Sequence, residues 1–167
     1  MKLTNKLFLS SIILLFALNI ASKSIAQNVE KVPKGLIYNP NADAKKDFEN
    51  VKRQALKDSK NIFIVVGGNW CIWCKRLNLF LNQDAKLKGL LNNYEVLHIN
   101  YSKENKNEML LNSLGNPQKL GFPVILIVNS KGTVLHTQNT GDLEKGNSYS
   151  TEKLTEFLTQ WVNIDNN

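Results

Sequence analysis

A chain of 167 residues, 43% hydrophobic and 21% charged, is long enough for one domain with its own core and too apolar to remain unfolded. Two cysteines exclude a disulfide-dense scaffold and an all-cysteine zinc site. The formal charge of +7 includes a segment expected to be removed, and no basic stripe with interleaved aromatics runs along the chain, so nucleic acid is not an expected partner.

Residues 1–26 read as a signal peptide. Lys2 and Lys6 precede an apolar run from Leu7 to Ile20, and Ser24-Ile25-Ala26 places small residues where a signal peptidase cuts. The run is interrupted by Ser10, Ser11 and Asn19 and falls short of the ~20 residues that span a bilayer, so an uncleaved anchor is the weaker alternative. Losing Lys2, Lys6 and Lys23 from the 21 basic residues leaves 18 against 14 acids, a mild net charge of +4. Residues 27–34 form a polar leader, and 35–164 are expected to make the folded domain.

Within that domain Gly35 to Tyr38 reads as a short edge strand. Asn41 or Asp43 can cap a helix from Ala44 to Lys57, with Phe48, Val51, Ala55 and Leu56 at helical spacing. Asn61 to Val66 is a β-branched and aromatic run of the kind buried on both faces of a sheet, and Gly67-Gly68-Asn69 ends it. A helix then opens at Cys71, with Cys74, Leu77 and Leu81 as its inward stripe and Lys75 and Arg76 outward. Asp84 caps a further helical stretch carrying Leu87, Leu90 and Leu91. Tyr94 to Tyr101 reads as a second buried strand, Glu104 to Leu114 as a helix, and Val124 to Val128 as a third strand after Gly121-Phe122-Pro123. Asn129 to Gly132 is a turn, Thr133 to Gln138 a hairpin partner, residues 141–150 a polar loop, and Leu154, Phe157, Leu158 and Trp161 the buried face of a last helix. Alternating strands and helices closed by a hairpin and helix give an α/β domain: a central mixed sheet covered by helices on both faces.

Cys71 and Cys74 are the chemistry-bearing pair, in Trp70-Cys71-Ile72-Trp73-Cys74-Lys75. In an exported chain thiols meet an oxidising environment. A bridge over so short a loop constrains the unfolded chain little, so a purely structural staple gains little stability. Half a zinc site is the other alternative, and only His98 and His136 are available as further soft ligands. A redox-active dithiol fits the spacing best.

A strand, then Trp-Cys-x-x-Cys-Lys opening a helix, then Phe122-Pro123 before a strand–turn–strand resembles the thioredoxin superfamily over about Leu36 to Val162, and within it exported domains such as the C-terminal domain of the DsbD reductase. The resemblance implies a thiol–disulfide oxidoreductase, expected to work as a protein-disulfide reductase, with no cofactor and no metal. Cys71 would be the nucleophile, its thiolate favoured at a helix start, and Cys74 the resolving thiol. Pro123 would be the family's cis-proline, a plain strand-start proline being the alternative. Phe122 would offer its backbone to an extended client, and Trp70 and Trp73 would flank the dithiol as part of the client-binding surface. Expected partners are disulfide-containing clients and a membrane-embedded reductant donor of the DsbD or CcdA type, with the protein a periplasmic monomer. An oxidase or isomerase, or a non-catalytic binding module, are the competing functions.

The chain departs from the family pattern at Val65, where thioredoxins commonly carry a buried acid. His98 aligns roughly with a lysine near that acid and is a candidate substitute proton acceptor; a sheet-face histidine without a redox part is the simpler reading. Ile72-Trp73 replaces the Gly-Pro of thioredoxin, and the 115–117 and 141–150 segments look like insertions. Cleavage after Ala26 should give an envelope protein whose intact mass and N-terminal sequence begin at Gln27; a species retaining Met1 would contradict the export reading.

Overall fold

The computed structural model describes residues 35–162; the expected signal peptide, the leader and the last residues lie outside them. Helix α1 (Ala44–Asp58) starts where Asp43 accepts the Lys46 N–H, one of the donors left without a partner in a first helical turn, and ends on Ser59 in the left-handed region. Phe48 and Ala55 on one stripe are buried, whereas Leu56, expected inward, is 65% exposed. Strand β1 (Asn61–Gly67) is buried along its whole length. It runs parallel to β2 (Tyr94–Asn100) and antiparallel to β3 (Val124–Val128), which pairs antiparallel with β4 (Val134–Asn139), so the sheet order is β2-β1-β3-β4.

Alternation along β1 sorts the core into two layers. Ile62, Ile64 and Val66 face α1 and α4 (Glu108–Ser113). Phe63 and Val65 face α2 (Ile72–Gln83), α3 (Ala85–Leu91) and α5 (Thr151–Gln160). The class is therefore as expected: a central mixed sheet flanked by helices on both faces. Helix α5 is pinned at long sequence range, with Tyr94 Oη donating to the Leu158 carbonyl (2.6 Å) and Asn61 Nδ2 to that of Trp161 (3.0 Å). Among the described residues no helix is long and apolar enough to cross a membrane.

Several expected elements differ. Strand β2 is an edge strand with Val96 exposed, because sheet order puts it outside β1; periodicity alone cannot distinguish an edge from a centre. The expected helix from Glu104 shrinks to α4, since the asparagines before it take their hydrogen bonds elsewhere. Asn105 Nδ2 donates to the carbonyls of Pro40 and Ala42, and Asn107 Nδ2 to that of Asn100 (2.7 Å). The 115–117 segment leads into a 3-10 turn, Pro117–Leu120. The 141–150 loop is structured, with a 3-10 turn (Thr140–Leu143) and a small hairpin of β5 (Glu144–Lys145) and β6 (Ser148–Tyr149).

Gly35 to Tyr38 forms no strand. The Asn69 carboxamide holds it instead: Oδ1 accepts the N–H groups of Ile37 and Tyr38, both at 3.1 Å, and Nδ2 donates to the Tyr38 carbonyl at 2.7 Å. One side chain thus replaces the ladder an edge strand would have used. Asn69→Ala removes all three bonds and should cost roughly 1–3 kcal/mol in urea unfolding, at about 1 kcal/mol per bond. Loss of less than a few tenths would mean that other contacts hold this segment.

Candidate active site

The dithiol stands where β1 gives way to α2. The turn closes as Cys71 N–H donates to the Gly68 carbonyl (3.0 Å), and Cys71 takes an extended conformation as the N-cap of α2. Its sulfur occupies the place of a capping oxygen and accepts the Cys74 N–H at 3.1 Å. A negative sulfur there meets the positive end of the helix dipole, and no acid stands in the first turn to oppose it. Cys71 and Cys74 are joined as a disulfide, with Cys71 6% and Cys74 1% exposed.

The Phe122–Pro123 peptide is cis and lies beside this pair, with Phe122 packed on the cluster that contains both cysteines. Thr140 fixes the loop from the other side, its hydroxyl donating to the Pro123 carbonyl at 2.6 Å in a buried position. Trp70 is 59% exposed, stands edge-on to Phe122 with ring centres 5.5 Å apart, and donates Nε1–H to the Tyr101 carbonyl at 2.8 Å. The Tyr101 ring completes the stack, 4.8 Å from Phe122. Beyond them opens a groove of about 440 Å³ lined by Trp70, Tyr101, Ser102, Lys103, Glu104 and Lys106. Trp73 turns the other way: it meets Tyr149 edge-on and carries the Arg76 guanidinium over its face at 4.6 Å.

Behind Cys74 the position expected for an acid is Val65, 3% exposed and packed among apolar side chains. His98 is its registered neighbour on β2. The imidazole meets the Tyr38 ring edge-on at 5.5 Å and borders a groove of about 510 Å³ shared with Val65 and Asn78. Among the described residues no three His, Cys, Asp or Glu side chains gather to hold a metal ion; His136 lies on β4, stacked on Trp161.

The arrangement holds one sulfur at a helix start, a second beneath it, and a cis-proline loop alongside. The model of a family described as thioredoxin-like matches residues 43–130. The chain belongs to this family. A curated relative from Pasteurella multocida (strain Pm70), "Probable thiol:disulfide interchange protein DsbE-2", is 30% identical over 119 residues, which are 68% of this chain and 60% of the relative. The chain thus spans less than two thirds of that protein. The crystal structure of a disulphide isomerase from Xylella fastidiosa Temecula1 superposes with a TM-score of 0.67 at 27% identity, covering 76% of this chain and 97% of that one. The oxidised C-terminal domain of Neisseria meningitidis DsbD shares the fold, with a TM-score of 0.53 at 18% identity over 70% of this chain and 95% of that domain.

Three residues here escaped sequence reasoning: Tyr38, Asn69 and Thr140. Each acts across a long stretch of chain and none belongs to a spaced motif. Tyr38 lies in a segment whose pattern predicts a strand, and only its size and polar tip signal a buried role.

Burial pushes the His98 imidazole down to about 4. A proton transfer controlled by His98 would then titrate near pH 4, well below the usual histidine range. His98→Ala should leave the pH–rate profile between about pH 5 and 9 unchanged, measured by single-turnover disulfide reduction. Its signature lies in stability. Between about 6.5 and 4 the unfolded chain binds the proton that the folded chain refuses, so stability is full above that window and falls as pH drops through it. The loss should be about 2 kcal/mol, trimmed because the ring borders an open groove, and should vanish in His98→Phe.

Proposed function

We propose that this protein is an exported thiol–disulfide oxidoreductase that reduces client disulfides through Cys71 and Cys74. The observation that carries the reading is Cys71 itself: a sulfur in the N-cap position of α2, bonded to its partner one turn in, beside the cis Phe122–Pro123 peptide. Cys71, as thiolate, attacks a client disulfide; a Cys71–client disulfide forms and the other client sulfur leaves as a thiolate and is protonated. Cys74 then attacks the Cys71 sulfur, closing the internal disulfide and releasing the second client sulfur. The client gains two electrons and the dithiol loses two. Trp70 and Phe122 form the surface an extended client lies on, with the Phe122 backbone available for strand addition, and Trp73 borders the dithiol on its other side, against Tyr149. The mature chain works in the periplasm as a monomer, and a membrane-embedded donor of the DsbD or CcdA type returns it to the dithiol state. Support for a redox role comes from the disulfide-interchange name of the Pasteurella relative.

A second reading has its own observation: the Xylella fastidiosa protein is described as a disulphide isomerase. Equilibration of the couple with glutathione separates the two. A reductase should sit near the thioredoxin potential of about −270 mV and an isomerase near about −180 mV. Insulin reduction by the mature chain should be abolished in Cys71→Ser. Cys74→Ser should accumulate mixed disulfides, because attack proceeds and resolution does not. Brief alkylation of the reduced protein at mildly acidic pH should label Cys71 first; preferential labelling of Cys74 would reverse the assignment of nucleophile.

A further inference from the structure

Val65 stands where the family pattern has a buried acid, and a different polar atom, the Tyr38 hydroxyl, lies close to Cys74. Tyr38 is 1% exposed and packs in one cluster with Cys71 and Cys74. A methyl group built on Gly67 would stand 2.5 Å from the Cys74 sulfur and 2.7 Å from the Tyr38 hydroxyl oxygen. The two atoms therefore face each other across a glycine, at most about 5 Å apart, the sum of those lengths. Among the described residues the buried Tyr38 hydroxyl has no hydrogen-bond partner in the disulfide form. A buried hydroxyl without a partner costs stability, and a partner gained in the dithiol state would recover that cost.

Resting on the reading of Cys71 and Cys74 as a redox pair, we propose that Tyr38 donates its O–H to the Cys74 thiolate once the disulfide opens, filling the role that the missing acid has in the thioredoxin pattern by a different means. A carboxylate would take the thiol proton. A phenol instead stabilises the sulfur anion left after that proton has gone to solvent. Burial, with the Tyr149 phenol adding to it, pushes the Tyr38 phenol well above its usual value, so it stays protonated and can only donate. Among the described residues the other titratable groups set against it are Cys71 at the N-cap of α2, His98 edge-on to its ring from β2, and Tyr149 on β6, whose hydroxyl reaches the Trp73 carbonyl at 3.5 Å. With the thiolate stabilised, Cys74 attacks the Cys71 sulfur of the mixed disulfide: the Cys71–Cys74 bond forms, the Cys71–client bond breaks, and the client sulfur leaves as a thiolate and is protonated. Asn69 sets Tyr38 in place through its main chain, so the loop that presents Cys71 also positions the donor for Cys74.

Tyr38→Phe keeps the ring and removes only the hydroxyl, and its effects should have opposite signs in the two redox states. Disulfide-form thermal stability should hold or rise, because an unpartnered polar atom is gone. In the Cys71→Ser background, thiolate absorbance should show the Cys74 pKa raised by about one unit, a tenfold loss of thiolate at neutral pH. The redox equilibrium should favour the disulfide by up to tenfold, a fall of about 30 mV for a two-electron couple. Single-turnover release of client from the mixed disulfide should slow about tenfold at pH 7, with less effect at pH 9 where Cys74 ionises unaided. An unchanged Cys74 pKa and potential would overturn the proposal, as would a less stable disulfide form with no pKa change, which would make Tyr38 a packing residue only. The Cys74 titration needs no turnover. A parent that fails to reduce insulin but shows the Tyr38-dependent pKa would therefore sink the reductase reading and leave the hydrogen bond standing.

Discussion

Everything around the dithiol depends on how closely the chain can pass itself at Gly67. Strand β1 must end with no side chain, because the Cys74 sulfur and the Tyr38 hydroxyl already occupy the space that a Cβ would need. From that contact the rest of the site follows. Gly68 and Asn69 turn the chain so that Cys71 caps α2, Asn69 reaches back to clasp the main chain of Tyr38, and the Tyr38 ring fills the volume beneath the sulfurs. The close approach also explains how one cysteine of a four-residue motif is more deeply covered than the other. Cys74 is the more buried of the two, although both lie in the same cluster with Tyr38.

The sheet supplies rigidity for this arrangement without supplying any of its chemistry. Strands β1 and β3 are central and fully buried, so the loop that leaves β1, residues 68–71, and the one that enters β3, residues 121–123, are each anchored at a fixed point. The Thr140 hydroxyl on the Pro123 carbonyl and the Trp70 indole on the Tyr101 carbonyl hold the two loops to neighbouring elements rather than to each other. The aromatic stack of Trp70, Phe122 and Tyr101 lies over the junction as a partly exposed apolar lip.

Replacing a buried acid by valine and a buried phenol changes the electrostatics of the second thiol in kind. A carboxylate near a thiol competes for one proton and couples the two titrations. A phenol held protonated by burial has a fixed dipole and no titration of its own in the working range, so it stabilises the thiolate without carrying charge into the core. Valine at 65 is then compatible with a well-packed layer against α2, and the histidine opposite it stays neutral for the same reason, desolvation.

By itself the sequence determined what is local or periodic. The buried run of β1, the inward stripe Cys74-Leu77-Leu81, the cap at Asp84 and the turn after β3 are set by nearest neighbours and by the 2.0 and 3.6 periods, whereas the choice of Asp43 over Asn41 as the first cap came from the structure. The cysteine pair was legible because its chemistry depends on a fixed short spacing at a helix start. Tertiary structure decided whatever depends on which strand lies next to which. It made β2 an edge, shortened the helix after it because Asn105 and Asn107 bond to distant carbonyls, and turned the segment before α1 from an expected strand into a strap held by Asn69. It also brought Tyr38 to Cys74 across more than thirty residues of chain. No period or motif encodes that meeting; it exists because a glycine at the end of β1 leaves room for a sulfur on one side and a hydroxyl on the other.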